Sequence, residues 1–137
     1  MEPRKTETIL AWVTLGFVAL YFPVETFVSW PYGLLNPFYI VDLIAMILLV
    51  WGAVRSLRAR PLSSPGVLAA AYGWAAANAW RSATLRVYEV RGGARLDYGD
   101  TEYWTVIIAT ALMLACFAIA LWLVLKSRDR TPDLSNR

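Results

Sequence analysis

Two carboxylates, an amide and a guanidinium stand where the chain is otherwise apolar: Glu25, Asp42, Asn78 and Arg81. Two kinds of chemistry fit such a set. A carboxylic acid held neutral by an apolar surround can donate a proton to an alkene, and aromatic faces shelter the resulting cation. The same acid, ionised, binds a ligand amine. Glu25 and Asp42 are therefore the candidate catalytic acids. Tyr21, Tyr39, Trp74, Asn78, Trp80 and Arg81 are the candidate ligand-binding residues. The competing structural reading pairs Arg81 with Glu25 or Asp42, so that the cluster neutralises itself and pins helices together, or lets each side chain reach for the membrane surface. The chain has no histidine. That removes His-ligated haem, the usual zinc sites and imidazole acid–base catalysis, and no metal or cofactor is expected.

The elements that must position these residues are membrane helices. Four apolar stretches occupy residues 9–30, 38–54, 65–85 and 104–125. About 20 helical residues cross the ~30 Å hydrocarbon layer. The hydrophobic share of 58% exceeds that of ordinary soluble domains. The expected fold is all-α: one four-span membrane domain over residues 1–137, forming a four-helix transmembrane bundle, with residues 126–137 as a disordered tail. At ~1.5 Å per residue, Glu25 lies about 24 Å above residue 9, Asp42 about 6 Å below the opposite surface, and Asn78 and Arg81 about 20–24 Å above residue 65. Residues from three helices thus converge on one layer, and Tyr21, Trp80 and Tyr39 belong to the same level.

Charge placement fixes an orientation. Of thirteen basic residues, nine (Arg4, Lys5, Arg55, Arg58, Arg60, Lys126, Arg128, Arg130 and Arg137) flank one side of the four-span pattern. Arg81, Arg86, Arg91 and Arg95 lie at or beyond the other. The positive-inside rule places both termini and the loop after span two in the cytoplasm, giving a multi-pass cell-membrane protein. The basic clusters are short and sit at membrane boundaries, so no nucleic-acid partner is expected. The first apolar run is too long for a signal-peptide core and lacks a small-residue cleavage site, so it is expected to remain as a span.

Residues 30–37 contain two prolines, a glycine and an asparagine, which exclude a continuous helix. Pro23 should kink span one. Ser64 and Pro65 read as N-cap and first residue of the third helix. The segment 87–103 is the long polar loop. Ala69, Gly73 and Ala77 form a small-residue stripe that fits either the central packing helix or a homodimer interface. Trp30, Trp80 and Trp104 fall at one interface and Trp12, Trp51 and Trp122 at the other, as expected of aromatic belts. Trp74 alone is mid-span. The single Cys116 reads as a small apolar residue.

The layout resembles the EXPERA group, which includes emopamil-binding sterol isomerases and the sigma-2 receptor. The likeness rests on the aromatic–proline–acid segment Tyr21-Phe22-Pro23-Val24-Glu25-Thr26-Phe27, on Asp42 early in span two, and on a Pro-initiated third span carrying Tyr72-Gly73. The resemblance implies a bundle of four or five helices with intramembrane acids around a sterol-sized pocket. The chain departs from the group in lacking histidine, with Trp74 standing near the group's usual position for one, and in its shorter first loop.

The leading functional expectation is a small polytopic membrane protein. It would hold a hydrophobic ligand (sterol, isoprenoid or other lipid) in an outward-facing intramembrane pocket, with isomerase or cyclase chemistry open to its acids. The alternatives are an accessory or assembly subunit of a larger membrane complex and a small proton-coupled multidrug exporter using Glu25.

Overall fold

The computed structural model describes residues 2–33, 35–58, 65–93 and 99–128. They form helix α1 (Pro3–Ser29), a single 3-10 turn (Trp30–Tyr32), and helices α2 (Pro37–Arg58), α3 (Gly66–Arg91) and α4 (Gly99–Arg128). Every helix outruns its apolar stretch. Pro3 starts α1 at the position where a missing N–H costs nothing. Thr6 and Thr8 then bond back to the carbonyls of Glu2 and Arg4. At the far end of α3, Arg86 and Glu89 pair at 2.7 Å across one turn, so residues expected in the polar loop are helical as far as Arg91. Lys126 to Arg128, expected in a disordered tail, complete α4.

The turn between α1 and α2 follows its residue types. Gly33 takes a positive φ of 84°. The Phe38 N–H donates to Asn36 Oδ1 at 3.0 Å and the Ile40 N–H to the Asn36 carbonyl at 3.0 Å. Asn36 thereby caps α2, with Pro37 as its first residue. Pro23 removes one backbone donor from α1, yet the helix continues through it. Pro65 is the residue that precedes α3, one position earlier than the sequence assigns it. Ser64, Arg60, Arg95 and residues 129–137 lie outside the described residues.

Consecutive helices run antiparallel. Glu7 meets Ser56 at one end of the α1–α2 pair, and Thr26 meets Tyr39 at the other. Gly52 abuts Leu68, and Gly73 abuts Phe117. Helix α3 packs between α2 and α4, and α1 lies against α2 with a lighter contact to α4. The start of α1, the end of α2 and the end of α4 therefore share one end of the molecule, together with Arg55 and Arg58.

Three helical segments, Pro3–Tyr32, Pro37–Arg58 and Tyr103–Ser127, are long and apolar enough to cross a membrane. Helix α3 has the length, at 26 residues, but its apolar content is chiefly alanine and its outer half carries Arg81, Arg86, Glu89 and Arg91. Most of its alanines lie inside the fold, although Ala70 and Ala77 are exposed. Ala69, Ala71, Ala75 and Ala76 are buried with Leu68 and Tyr72 against Leu10, Ala45, Met46, Leu49, Met113 and Leu123. Small residues let backbones approach, which is how helices gain contact where the surroundings are as apolar as the side chains.

The exterior carries many large apolar side chains. Trp12, Leu20, Phe27, Ile47, Trp51, Ile108 and Leu112 are exposed, whereas Thr14, Ser29 and Thr110 are buried. The Thr110 hydroxyl reaches the Ala79 carbonyl across helices at 3.0 Å. Such a distribution suits a hydrocarbon solvent, not water.

Candidate functional site

The polar layer foreseen from helix rise is present at the end where α1 finishes and α2 begins, as a hydrogen-bonded group on α1 and a cleft between α2 and α3.

On the α1 side, Glu25 is bound within its own helix. The Tyr21 hydroxyl donates to Glu25 Oε2 at 3.0 Å and the Ser29 hydroxyl to Oε1 at 2.9 Å. The i, i+4 spacing on both sides makes these bonds possible. Phe17 stacks on Tyr21 with ring centroids 5.3 Å apart and fixes the ring that holds the acid. Tyr39 is buried, and its hydroxyl is 3.0 Å from Thr26 Oγ1. Thr26 already donates to the Phe22 carbonyl at 2.7 Å, so Tyr39 donates to Thr26. That bond fastens α2 to α1.

On the other side, α2 and α3 diverge to leave a cleft of about 390 Å³ lined by Phe38, Val41 and Asp42 of α2 and by Asn78, Arg81, Ser82, Leu85, Arg86 and Glu89 of α3. The α3 residues fall at helical spacing and make one continuous stripe. Asp42 is half-buried. It is within electrostatic reach of Glu25, and none of the described residues donates a hydrogen bond to it. Asn78 donates to the Trp74 carbonyl at 3.0 Å, which leaves its own carbonyl oxygen for the cleft.

Arg81 corrects the sequence-based expectation. It pairs with neither Glu25 nor Asp42; its guanidinium lies over the Phe38 ring, 5.7 Å from the centroid, a cation–π contact. Trp74 and Trp80, expected as pocket walls, project outward at 46% and 59% exposure and are absent from the cleft lining. Of the eight expected site residues, the cleft gathers Asp42, Asn78 and Arg81. Glu25 and Tyr21 form the neighbouring cluster, and Tyr39 links the two helices. Comparison with protein-family models, curated proteins and solved structures found no match to this chain.

Sequence reasoning missed Arg86 and Glu89 because it ended the third helix at residue 85, and it passed over Ser82 within that helix. Extending the stripe that runs through Asn78, Arg81 and Leu85 by another turn would have found Arg86 and Glu89. It also missed a polar node in the middle of the fold. Tyr72, 1% exposed, is 2.6 Å from the Oγ1 of Thr14, 0% exposed. Thr14 donates to the Leu10 carbonyl at 2.7 Å, so Tyr72 must donate to Thr14. Cys116 neighbours the Tyr72 hydroxyl from α4, so it has a polar neighbour as well as an apolar role.

The Arg81 geometry yields a stability prediction. An arginine that neutralises no buried acid leaves none stranded when removed. Arg81→Ala is expected to shift the melting temperature in detergent slightly and equally at pH 5 and pH 7, as for an exposed pair worth ~0–1 kcal/mol. A loss confined to neutral pH would instead reveal a charge pair.

Proposed function

We propose that the chain is a multi-pass membrane protein whose four helices form a transmembrane bundle with both termini cytoplasmic, and that it holds the polar head of a hydrophobic or amphipathic ligand in the α2–α3 cleft. The ligand class is a sterol, isoprenoid or other lipid. The observation that carries this reading is Asp42: a half-buried carboxylate facing a cleft of about 390 Å³, with no hydrogen-bond donor among the described residues. An intramembrane acid is costly to keep and marks a functional site by default.

The surroundings support the reading. Phe38, Val41 and Leu85 give the cleft apolar walls, and the exposed apolar side chains below it, Ile44 and Trp74 among them, continue a surface suited to a hydrocarbon tail. Asp42 is the acid a ligand meets. Glu25, saturated by Tyr21 and Ser29, acts as a fixed negative charge behind it. If the protein also performs acid-catalysed isomerase or cyclase chemistry, as the EXPERA-like layout implies, Asp42 is the proton donor and Glu25 its electrostatic neighbour. For topology, the basic residues at the ends of α2 and α4 lie with the N-terminal end of α1 on the cytoplasmic face.

Filling the cleft tests the function. Ser82→Trp, on the exposed cleft wall, is expected to abolish lipid that co-purifies with the wild type in stoichiometric amount, while the melting curve is retained. Equal lipid content in both proteins would refute the ligand site. A cysteine introduced at Gly93 and one at Ser135 report topology: only the first should label from outside intact cells.

A further inference from the structure

Asp42 and Arg81 carry opposite charges, line the same cleft and do not meet. Arg81 rests on Phe38, and Asp42 accepts no hydrogen bond from the described residues. Opposite charges that can close the gap do so in a poorly screened site, because the attraction grows as the dielectric falls. Here Arg81 lies over Phe38 instead. The remaining charges of the cleft are already matched, since Arg86 holds Glu89 at 2.7 Å. The cleft therefore presents one unmet anion and one unmet cation at separate points on its wall.

We propose that its occupant has a zwitterionic head, with a primary ammonium on Asp42 and a phosphate on Arg81, as in an ethanolamine phospholipid. The assignment rests on the reading that this cleft holds a lipid. Other heads fit less well. A simple amine leaves Arg81 without an anion and brings a second cation towards it. An anionic glycerol head can set its phosphate on Arg81 but offers Asp42 only neutral hydroxyls. A quaternary ammonium has no N–H to give an acid that lacks donors, and such groups are recognised by aromatic cages. The one aromatic ring lining this cleft, Phe38, already carries Arg81. A primary ammonium supplies three donors, and a guanidinium suits the phosphate oxygens. Phe38, Val41 and Leu85 then border the glycerol and the start of the acyl chains.

Native mass spectrometry of the detergent-purified full chain, titrated with ethanolamine, choline and glycerol phospholipids of identical acyl chains and with water-soluble phosphoethanolamine, tests the assignment. The ethanolamine lipid is expected to bind about tenfold or more tightly than the other two, the scale of one charge-assisted hydrogen bond. Asp42→Asn should erase that preference, and Arg81→Gln should weaken all three phospholipids. The wild-type ranking needs no variant and so does not depend on how the variants fold. Equal or tighter binding of the glycerol or choline lipid overturns the zwitterion assignment and leaves the lipid site standing. Binding of no phospholipid overturns both. Soluble phosphoethanolamine binding as tightly as the lipid overturns the membrane source of the head.

Discussion

Gly52→Val is expected to lower stability sharply. A Cβ at Gly52 would lie 2.8 Å from Leu68 Cα, 3.1 Å from Leu68 N and 3.2 Å from Leu68 Cδ1. The first two are backbone atoms of α3, so no rotamer change relieves the clash, and α2 and α3 must separate. Overpacking a core costs about 1–3 kcal/mol and occasionally more, and a backbone obstacle belongs at the upper end. Separation also loosens Leu49, Ala53 and Leu68, all buried at this crossing. A melting temperature lower by on the order of 10 °C is expected, scaling ~3 kcal/mol by the entropy of a domain of this size. Gly16→Ala is the control. Nothing lies within 4 Å of a Cβ there, and replacing a mid-helix glycine by alanine stabilises by roughly 0.5–1 kcal/mol. A Gly52→Val protein that melts with the wild type would mean that α2 and α3 do not cross at this point.

Tyr72→Ala is expected to produce the second large loss. The side chain is 1% exposed and sits among α1, α3 and α4. Truncating a buried aromatic costs about 3–5 kcal/mol through lost contact and the cavity left behind. The hydroxyl alone contributes less. After Tyr72→Phe, Thr14 keeps its bond to the Leu10 carbonyl, so no donor is stranded. A cross-helix bond in this setting averages ~0.6 kcal/mol and reaches about 1.7. A double-mutant cycle of Tyr72→Phe with Thr14→Val should therefore return a coupling of about 1 kcal/mol. Full additivity would show that the 2.6 Å contact adds nothing to stability.

Depth in the membrane was legible in the sequence, because helix rise is constant and apolar stretches locate the hydrocarbon. Counting residues was enough to bring Glu25, Asp42 and Arg81 to one end. Azimuth was not legible. A soluble helix betrays its inward face by an apolar stripe, but a helix in lipid is apolar on all sides. The sequence consequently does not show that Trp74 and Trp80 are exposed and lie outside the cleft lining, or that Tyr39 bonds to Thr26 of α1. Arg81 was expected to find an acid, and only side-chain placement shows it resting on Phe38. The Thr14–Tyr72 bond joins residues 58 apart in the chain, and isolated hydroxyls in apolar stretches carry no sequence signature of pairing. The small-residue stripe was partly readable. Ala69 is buried and Gly73 meets Phe117, but Ala77 is exposed, so the positions proposed for a homodimer are largely occupied within one chain.

Helix ends were misjudged for one reason. Hydrophobicity marks where lipid ends, whereas a helix continues until its backbone bonds run out or a breaker intervenes. The extra turns at the C-terminal end of α3 supply Arg86 and Glu89, which line the cleft, so the boundary error bears directly on the candidate site.

The most direct test of the ligand cleft is photocrosslinking in native membranes. A photoreactive phenylalanine analogue is placed at position 82, on the cleft wall, or at position 112, on the exposed surface of α4. After irradiation the protein is purified and adduct masses are read. Position 82 is expected to capture one lipid class in high yield, and the yield should collapse when Asp42→Asn is added. Position 112 should give a low-yield mixture reflecting the bulk membrane. The same mixture at both positions, unaffected by Asp42→Asn, would contradict a ligand cleft between α2 and α3.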